Sequence, residues 1–430
     1  MTGIKVLPLA RDEDNPSGKH YFSPTYRTYI LTILTLVFVV NFLDRQIMGI
    51  LLPQIKAEFG LTHGQLGILT GPAFGIVYAL AGIPLAIVAD STKRRNIIAI
   101  STFVFSGMTM LCGMCTQFWQ LCAARFGVGV GEAGSTPSIS AMLSDLYPPK
   151  QRTGALSFYL TGTNIGLLLG FFAGGLVAEH FGWRLAFLAA GIPGLILCVL
   201  LMTTVREPIR DHRGEDSGST PGFGAVVRFL FARAEFRWMI FAAVCSTASL
   251  YAAYTFTPLH LNEVFALKPS ETGLALAVLT GALGGIGTYF SGVIANRKAQ
   301  KHFGRIMLVP MVAMLVTLPC IPIYYLSSNL WVALAAGTVP SLTMVAYVAP
   351  CYSLTQTLAP VRMRAQAAAL VSAITGVLGL STGPLLVGYL ADVLRPRFHE
   401  FALGAGLCVL CLFNALAAFG YWRSFRQSQG

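Results

Sequence analysis

Four ionisable residues fall inside apolar stretches of this chain. Asp44 and Arg45 stand side by side in Asn41-Phe42-Leu43-Asp44-Arg45-Gln46, and Arg125 and Glu132 bracket Arg125-Phe126-Gly127-Val128-Gly129-Val130-Gly131-Glu132. A charge at bilayer depth is costly, so such residues mark an ion, proton or substrate path by default. Arg125 and Glu132 are seven positions apart, which puts them on one helix face about 10 Å apart along the axis. Gly127, Gly129 and Gly131 keep that helix slim enough for a neighbour to approach closely. Two acids and two bases sum to zero charge, so the set can be buried as a unit. Two roles follow. The set is either a permanent salt-bridge lock between the first and fourth helices or a proton-coupled switch. In the switch, protonating one carboxylate frees an arginine and changes the preferred packing. Asp44 and Glu132 are the proton-site candidates, and Arg45 and Arg125 are their partners or contacts for an anionic head group.

The elements that must position these residues are read from composition. The 430 residues are 55% hydrophobic and 11% charged, against about 25% charged in soluble domains. Lipid is the solvent that fits. A net charge of +12 would suit nucleic acid only as a basic face or stripe. Here the basic residues sit in short runs between apolar segments, so no nucleic-acid partner is expected. A spanning helix needs about 20 mostly apolar residues. Twelve such windows are predicted, near 27–53, 64–89, 96–115, 119–144, 153–180, 184–205, 237–262, 271–296, 304–326, 330–358, 363–392 and 400–423. The fold class is therefore an all-α membrane protein with two six-helix bundles. Its expected parts are an N-terminal tail (1–26), a first bundle (27–205), a linker (206–236), a second bundle (237–423) and a C-terminal tail (424–430). Within the linker, 223–233 mixes aromatic, aliphatic and Arg positions, which suits an interfacial helix.

Placing both termini in the cytoplasm puts most of the 30 Lys and Arg residues inside, among them Lys93, Arg94, Arg95, Lys150 and Arg152. Lys56, Arg184, Lys268, Arg395 and Arg397 are left outside, the asymmetry expected of cytoplasmic loops. The first apolar segment is too long for a cleavable signal. The nine cysteines all lie in apolar stretches and read as small hydrophobes. Neither metal nor cofactor is called for.

The halves resemble each other. Adding 213 to Gly166, Gly170, Gly175 and Glu179 lands on Gly379, Gly383, Gly388 and Asp392, as a parallel duplication requires. Gly162, Gly166, Gly170 and Gly174 form a packing stripe on the fifth helix. The second half carries no mid-depth charge in helices 8 to 12 but offers Tyr251, Tyr254, Tyr347, Tyr352 and Gln356 as candidate cavity lining, with His260 nearer the outer end. A charged wall facing an apolar, Tyr-dotted one suits a substrate with a polar head and an oily tail. Asp90, ending a helix beside Lys93-Arg94-Arg95, is a candidate cytoplasmic gate together with Arg94, Arg95 and Arg152.

The Asp90 loop, Arg125, the Gly-rich fifth helix ending in Gly182-Trp183-Arg184 and the six-plus-six layout resemble the major facilitator superfamily over the whole chain. Asn41-Phe42-Leu43-Asp44-Arg45 and Arg125 through Ala133 resemble its Spinster subfamily. The loop departs from the superfamily pattern at Ser91 and Lys93, which weakens the expected inner latch. The resemblance implies alternating access, proton coupling and a lysolipid or sphingoid-phosphate substrate. Carried over by position, Asp44, Arg45, Arg125 and Glu132 become the coupling and head-group residues. The expectation is a monomeric secondary active transporter in a bacterial inner membrane, with an amphiphilic anion, protons and membrane lipid as its partners. A drug or organic-anion exporter and a transport-dead sensor are the alternatives. A lipid enzyme would want a His, Ser or Asp constellation at the interface, and the histidines lie in the tail, loops and helix ends.

Overall fold

The computed structural model describes residues 22–208, 223–299, 303–360 and 363–429, and these are helical with no strand among them. The first half runs α1 (Pro24–Phe59), α2 (His63–Thr70), α3 (Pro72–Ser91), α4 (Arg94–Cys112), α5 (Phe118–Ala133), α6 (Ser135–Leu146) and α7 (Pro149–Thr204). After α8 (Phe223–Phe231), the second half runs α9 (Ala234–Phe265), α10 (Pro269–Leu276), α11 (Gly284–Ala299), α12 (Leu308–Thr317), α13 (Cys320–Leu326) and α14 (Leu330–Thr343). It closes with α15 (Val348–Leu358), α16 (Arg364–Ile374), α17 (Ser381–Phe398), α18 (Ala402–Leu407) and α19 (Val409–Gln427). π-Helical turns at Ala277–Leu283 and Thr375–Leu380 join α10 to α11 and α16 to α17.

Among the described residues, nine helices are long and apolar enough to cross a membrane. Two of them, Gly154–Thr204 with 51 residues and Gln366–Gln427 with 62, far exceed the roughly 20 residues one crossing needs. The first breaks at Gly182, whose φ of 81° and ψ of 165° leave the helical region, between the predicted fifth and sixth windows. The second turns at His399, with φ of 46°, between the predicted eleventh and twelfth. The predicted fourth window is divided at Gly134 into α5 and α6, each too short alone. A helix, α8, does occupy the expected stretch of the linker and buries Val226 and Leu230. Phe103, Met114, Trp119, Trp331 and Tyr389 are exposed, large apolar groups that lipid solvates better than water does.

Lipid tails are as apolar as leucine, so helices in a bilayer associate mainly through close packing of small residues. The glycine stripe of α7 shows this. A Cβ on Gly166 would lie 2.6 Å from both the Phe42 Cβ and the Val39 carbonyl oxygen, and one on Gly170 would lie 2.9 Å from the Leu43 carbonyl oxygen. The stripe therefore seats α1, the helix that carries Asp44 and Arg45. In α5, Gly127 and Gly131 meet α4 at Met108 and Phe105, while Gly129 meets α3 at Phe74. The alternation lets α5 wedge between α3 and α4.

The halves meet backbone to backbone at the end that carries His63. A Cβ on Gly67 would fall 2.6 Å from the Pro384 carbonyl oxygen, and one on Gly388 would fall 2.3 Å from that of His63. On the other side of the molecule, Gly175 and Gly273 bring α7 against α10 in the same way, meeting the carbonyls of Pro269 and Phe171. Thus α2 packs along α17 and α7 along α10, the pairing expected of two duplicated halves.

Candidate functional site

The four buried charges meet at mid-depth as two crossed ion pairs. Asp44 and Arg45 are neighbours on α1, so their side chains leave the helix about 100° apart. Asp44 turns toward α4 and α5, where its Oδ2 accepts from Arg125 Nη1 at 3.1 Å and its Oδ1 from Thr109 Oγ1 at 2.6 Å. Arg45 turns toward α3 and the second half. Its Nε and Nη2 both donate to Glu132 Oε1 at 2.7 Å. Beside them, Asn41 donates to Ser135 at 2.9 Å, tying α1 to α6.

The two pairs differ in surroundings. Asp44 and Arg125 are sealed, their side chains 2% and 3% exposed. Arg45 is 10% exposed, and its Nη1 donates to the Tyr251 hydroxyl at 3.2 Å across the gap between halves. Its guanidinium sits 4.7 Å from the Tyr78 ring centre and 5.0 Å from that of Phe74, and Arg125 lies 5.3 Å from the same Phe74 ring. Such cation–π contacts lower the cost of holding an arginine in an apolar wall. Three buried polar atoms have no hydrogen-bond partner here among the described residues, Asn41 Oδ1, Glu132 Oε2 and Arg125 Nε. An orphaned carboxylate oxygen can take a proton without breaking any existing bond.

A chamber of about 30 Å³ opens at Arg45 and Arg125, lined also by Thr70, Phe74, Tyr251 and Tyr254. Tyr254 also lines a second chamber of about 30 Å³, whose other walls include Phe171, Leu250, Leu276, Tyr324 and Met344. A polar chamber and a mostly apolar one thus share one tyrosine. Of the other predicted lining residues, Tyr347 bonds its hydroxyl to Thr247 at 2.9 Å and Tyr352 to Ser372 at 2.7 Å. Gln356 donates to the Arg364 carbonyl at 3.5 Å. These three are not in the walls of either chamber. His260 is fully buried, edge-on to Tyr325.

At the opposite end from His63, the Asp90 side chain lies outside the described residues. Arg94 pairs with Asp145, and the backbone amides of Arg94 and Arg95 donate to Glu207 at 2.7 and 2.9 Å. Arg152 donates to the Tyr147 carbonyl at 3.0 Å. Each of these contacts stays within the first half and the start of the linker, where Glu207 caps α4 and draws the chain after α7 onto it.

A polar cluster at the His63 end escaped the sequence reading. Lys56 of α1 pairs with Glu263 of α9, and His63 Nε2 lies 2.9 Å from Lys56 Nζ and 3.1 Å from Glu263 Oε1. Asp392 of α17 accepts from the backbone amides of His63 and Gly64 at 3.0 and 2.7 Å, and its Oδ1 lies 3.2 Å from His63 Nδ1. Glu179 of α7 does the corresponding work on α10, accepting from the Ser270 hydroxyl and, at 3.3 Å, from its amide. Glu179 and Asp392 are the last of the residue pairs at the 213 offset. Each caps the first turn of a helix in the other half, where the helix dipole favours an anion. The offset was a visible signal, but only the packing shows what the two acids do.

The profile of the Major Facilitator Superfamily matches residues 34–377. The chain belongs to that superfamily. It is an integral membrane transporter and not an enzyme. It is 28% identical over 96% of its length to an MFS-type efflux pump of Mycolicibacterium smegmatis, 96% of which is covered. It is 27% identical to a probable galactarate/D-glucarate transporter of Bacillus subtilis, over 69% of this chain and 70% of that one. A crystal structure of a bacterial homolog of the human lysosomal transporter Spinster, inward-facing and unoccupied, superposes with a TM-score of 0.85 at 26% identity, covering 95% of this chain and 98% of that one. A bacterial Spinster homolog in an inward-facing, occupied conformation gives a TM-score of 0.82 at 26% identity, covering 94% of this chain and 98% of that one. This superfamily member therefore resembles Spinster in structure, as its first and fourth helices imply.

Proposed function

We propose that this chain is a proton-linked secondary active transporter that moves an amphiphilic anion of lysolipid or sphingoid-phosphate type. In this reading it crosses a bacterial inner membrane twelve times, keeps both termini in the cytoplasm and works as a monomer by alternating access between two six-helix bundles. The observation that carries it is the position of Arg45. This one guanidinium holds Glu132 within the first half and Tyr251 across the gap. Protonating Glu132 at its free oxygen weakens its hold on Arg45. The arginine then offers its charge to an anionic head group in the polar chamber, while the tail enters the apolar chamber beyond Tyr254. Proton and anion therefore favour each other's binding. Asp44 is the second proton-site candidate, and its partner Arg125 also borders the polar chamber. The chambers are far smaller than any lipid, so the halves must separate for a substrate to enter. Asp90, Arg94, Arg95 and Arg152 are proposed to close the cytoplasmic side, with the first-half contacts of the arginines holding that rim rigid.

The efflux pump among the relatives favours a second reading, export of drugs or other organic anions through the same chambers. Flux in proteoliposomes separates the two. The proposal expects an imposed pH gradient to drive movement of a lysolipid and not of a panel of cationic drugs. Drug flux without lysolipid flux would establish the exporter instead. Flux of neither, under any gradient, would point to a transport-dead sensor.

A further inference from the structure

We infer that His63 is a second proton-responsive element, which fastens the outer ends of the two halves when protonated and loosens them when neutral. The inference rests on the alternating-access reading above, and on the lysine and arginine asymmetry that places this end outside. Its evidence is the geometry of one imidazole among three charged groups from three helices. Asp392 Oδ1 already accepts the His63 backbone N–H and faces Nδ1, so the Nδ1 position carries a proton in either state. The state of Nε2 is therefore the variable. It lies 2.9 Å from Lys56 Nζ and 3.1 and 3.2 Å from the two oxygens of Glu263.

A neutral ring can only accept at Nε2, so it takes a hydrogen bond from Lys56, within the first half. A protonated ring must donate there, so it turns that bond to Glu263 of α9, across the halves. The charge count moves the same way. Lys56 stands against Glu263 and Asp392, one negative charge in excess, and an imidazolium brings the cluster to neutrality. Protonation thus adds a cross-half bond and removes the excess charge at once. Histidine is the side chain whose ordinary chemistry changes charge between pH 5 and 8. The His63 side chain is 5% exposed, and its partners Glu263 and Asp392 are 23% and 30% exposed, so the pairs are shielded yet reachable from water.

Among the described residues no further charged group bonds the ring: Glu58 of α1 is held by Trp183 and Arg184, and Arg395 and Arg397 lie in the last turn of α17. Besides α1 and α17, α3 and α5 also pack on α2. The charges of α5, Arg125 and Glu132, are bonded to α1 at mid-depth, and Asp90 ends α3 at the far side of the bilayer. The related latch supplies a contrast. At the start of α10, Glu179 meets Ser270, a hydroxyl that does not change charge with pH. Lys268 adds an ion pair to Glu179 at 3.9 Å, and among the described residues only the latch on α2 places a histidine within hydrogen-bond distance of carboxylates of the other half.

The test reads the distance between nitroxide labels at exposed Ala57 and Phe398, in a full-length background with the nine cysteines replaced. Between pH 8 and pH 6 the ratio of closed to open outer distances should rise roughly 5-fold or more, the low end of ordinary coupling between sites. The rise should persist in an Asp44→Asn, Glu132→Gln double variant, which removes the mid-depth proton sites, and vanish when His63→Gln is added. Glu263→Gln, which leaves the imidazole but takes away its cross-half acceptor, should blunt the rise by itself. An undiminished pH response in His63→Gln, or its absence in the parent, overturns the inference. Neither result touches the mid-depth proposal, which stands or falls on gradient-driven flux.

Discussion

Two clusters of ionisable groups occupy this molecule at different depths, and they are built differently. The mid-depth cluster joins α1 to α5 inside one half and, among the described residues, bonds to the other half through Arg45 and Tyr251 alone. The outer cluster joins α1 and α2 to α9 and α17, so nearly every bond in it spans the two halves. One is buried and neutral as a set. The other is partly wetted and sets one lysine against two carboxylates, with His63 among them. A cluster within one half can bias a moving domain only through what it offers to a ligand or to a single bridging arginine. A cluster between halves biases the movement directly. The same residue types therefore suit coupling at mid-depth and latching at the rim.

The largest effect expected from breaking this contrast is in Arg125→Ala. It strands Asp44 in a sealed site with Thr109 as its one remaining partner, and removing one member of a buried pair costs about 3–5 kcal/mol. Thermal unfolding in detergent should show the loss. Adding Asp44→Asn should restore more than half of it, and no recovery would mean that the pair is not energetically coupled. Next is Glu132→Gln. In the parent, affinity for a lysolipid, measured by titration calorimetry, should rise as pH falls, by up to about tenfold per pH unit for one linked proton. The variant should stay flat and near the parent's acid value. A slope retained in the variant would move the proton site elsewhere.

Smaller effects separate the outer latches. Asp392→Asn removes the negative charge beside His63 and weakens the cap on α2, whereas Glu179→Gln leaves Ser270 a neutral acceptor. The first should open the outer distances several-fold more than the second in the same label measurement, and equal effects would make the two latches equivalent. The smallest expected effect is that of salt. Raising it from about 0.01 M to about 1 M shortens the screening length from about 30 Å to about 3 Å. That should loosen the partly exposed outer cluster while leaving the unfolding temperature difference between the parent and Arg125→Ala unchanged.

Much of the mid-depth site was legible because membrane burial makes charge rare. In a chain this apolar, Asp44, Arg45, Arg125 and Glu132 stand out by type alone, and the seven-residue spacing puts the last two on one face. The crossed pairing was not legible. It depends on the rotation of α1 about its axis, which the α7 glycines set by steric contact at Phe42, Val39 and Leu43. The outer cluster was harder still. Lys56, His63, Glu263 and Asp392 sit at helix ends, where polar residues are ordinary, and nothing in their spacing distinguishes a latch from a solvated rim. Tyr347, Tyr352 and Gln356 looked much like Tyr251 and Tyr254 in sequence, yet their hydrogen bonds go to neighbours within their own half.

The sequence by itself determined that this chain is a helical membrane protein of the major facilitator type, and it singled out four ionisable residues within its apolar stretches. Hydropathy and charge are local properties, and a bilayer rewards them segment by segment, so they can be read in order along the chain. The tertiary structure alone decided which acid pairs with which arginine, which tyrosines reach the chambers and that His63 touches three charged partners. Those outcomes depend on helix rotation and on contacts between residues separated by up to 329 positions. Such contacts are set by how glycine faces and backbones fit together, which no local window contains.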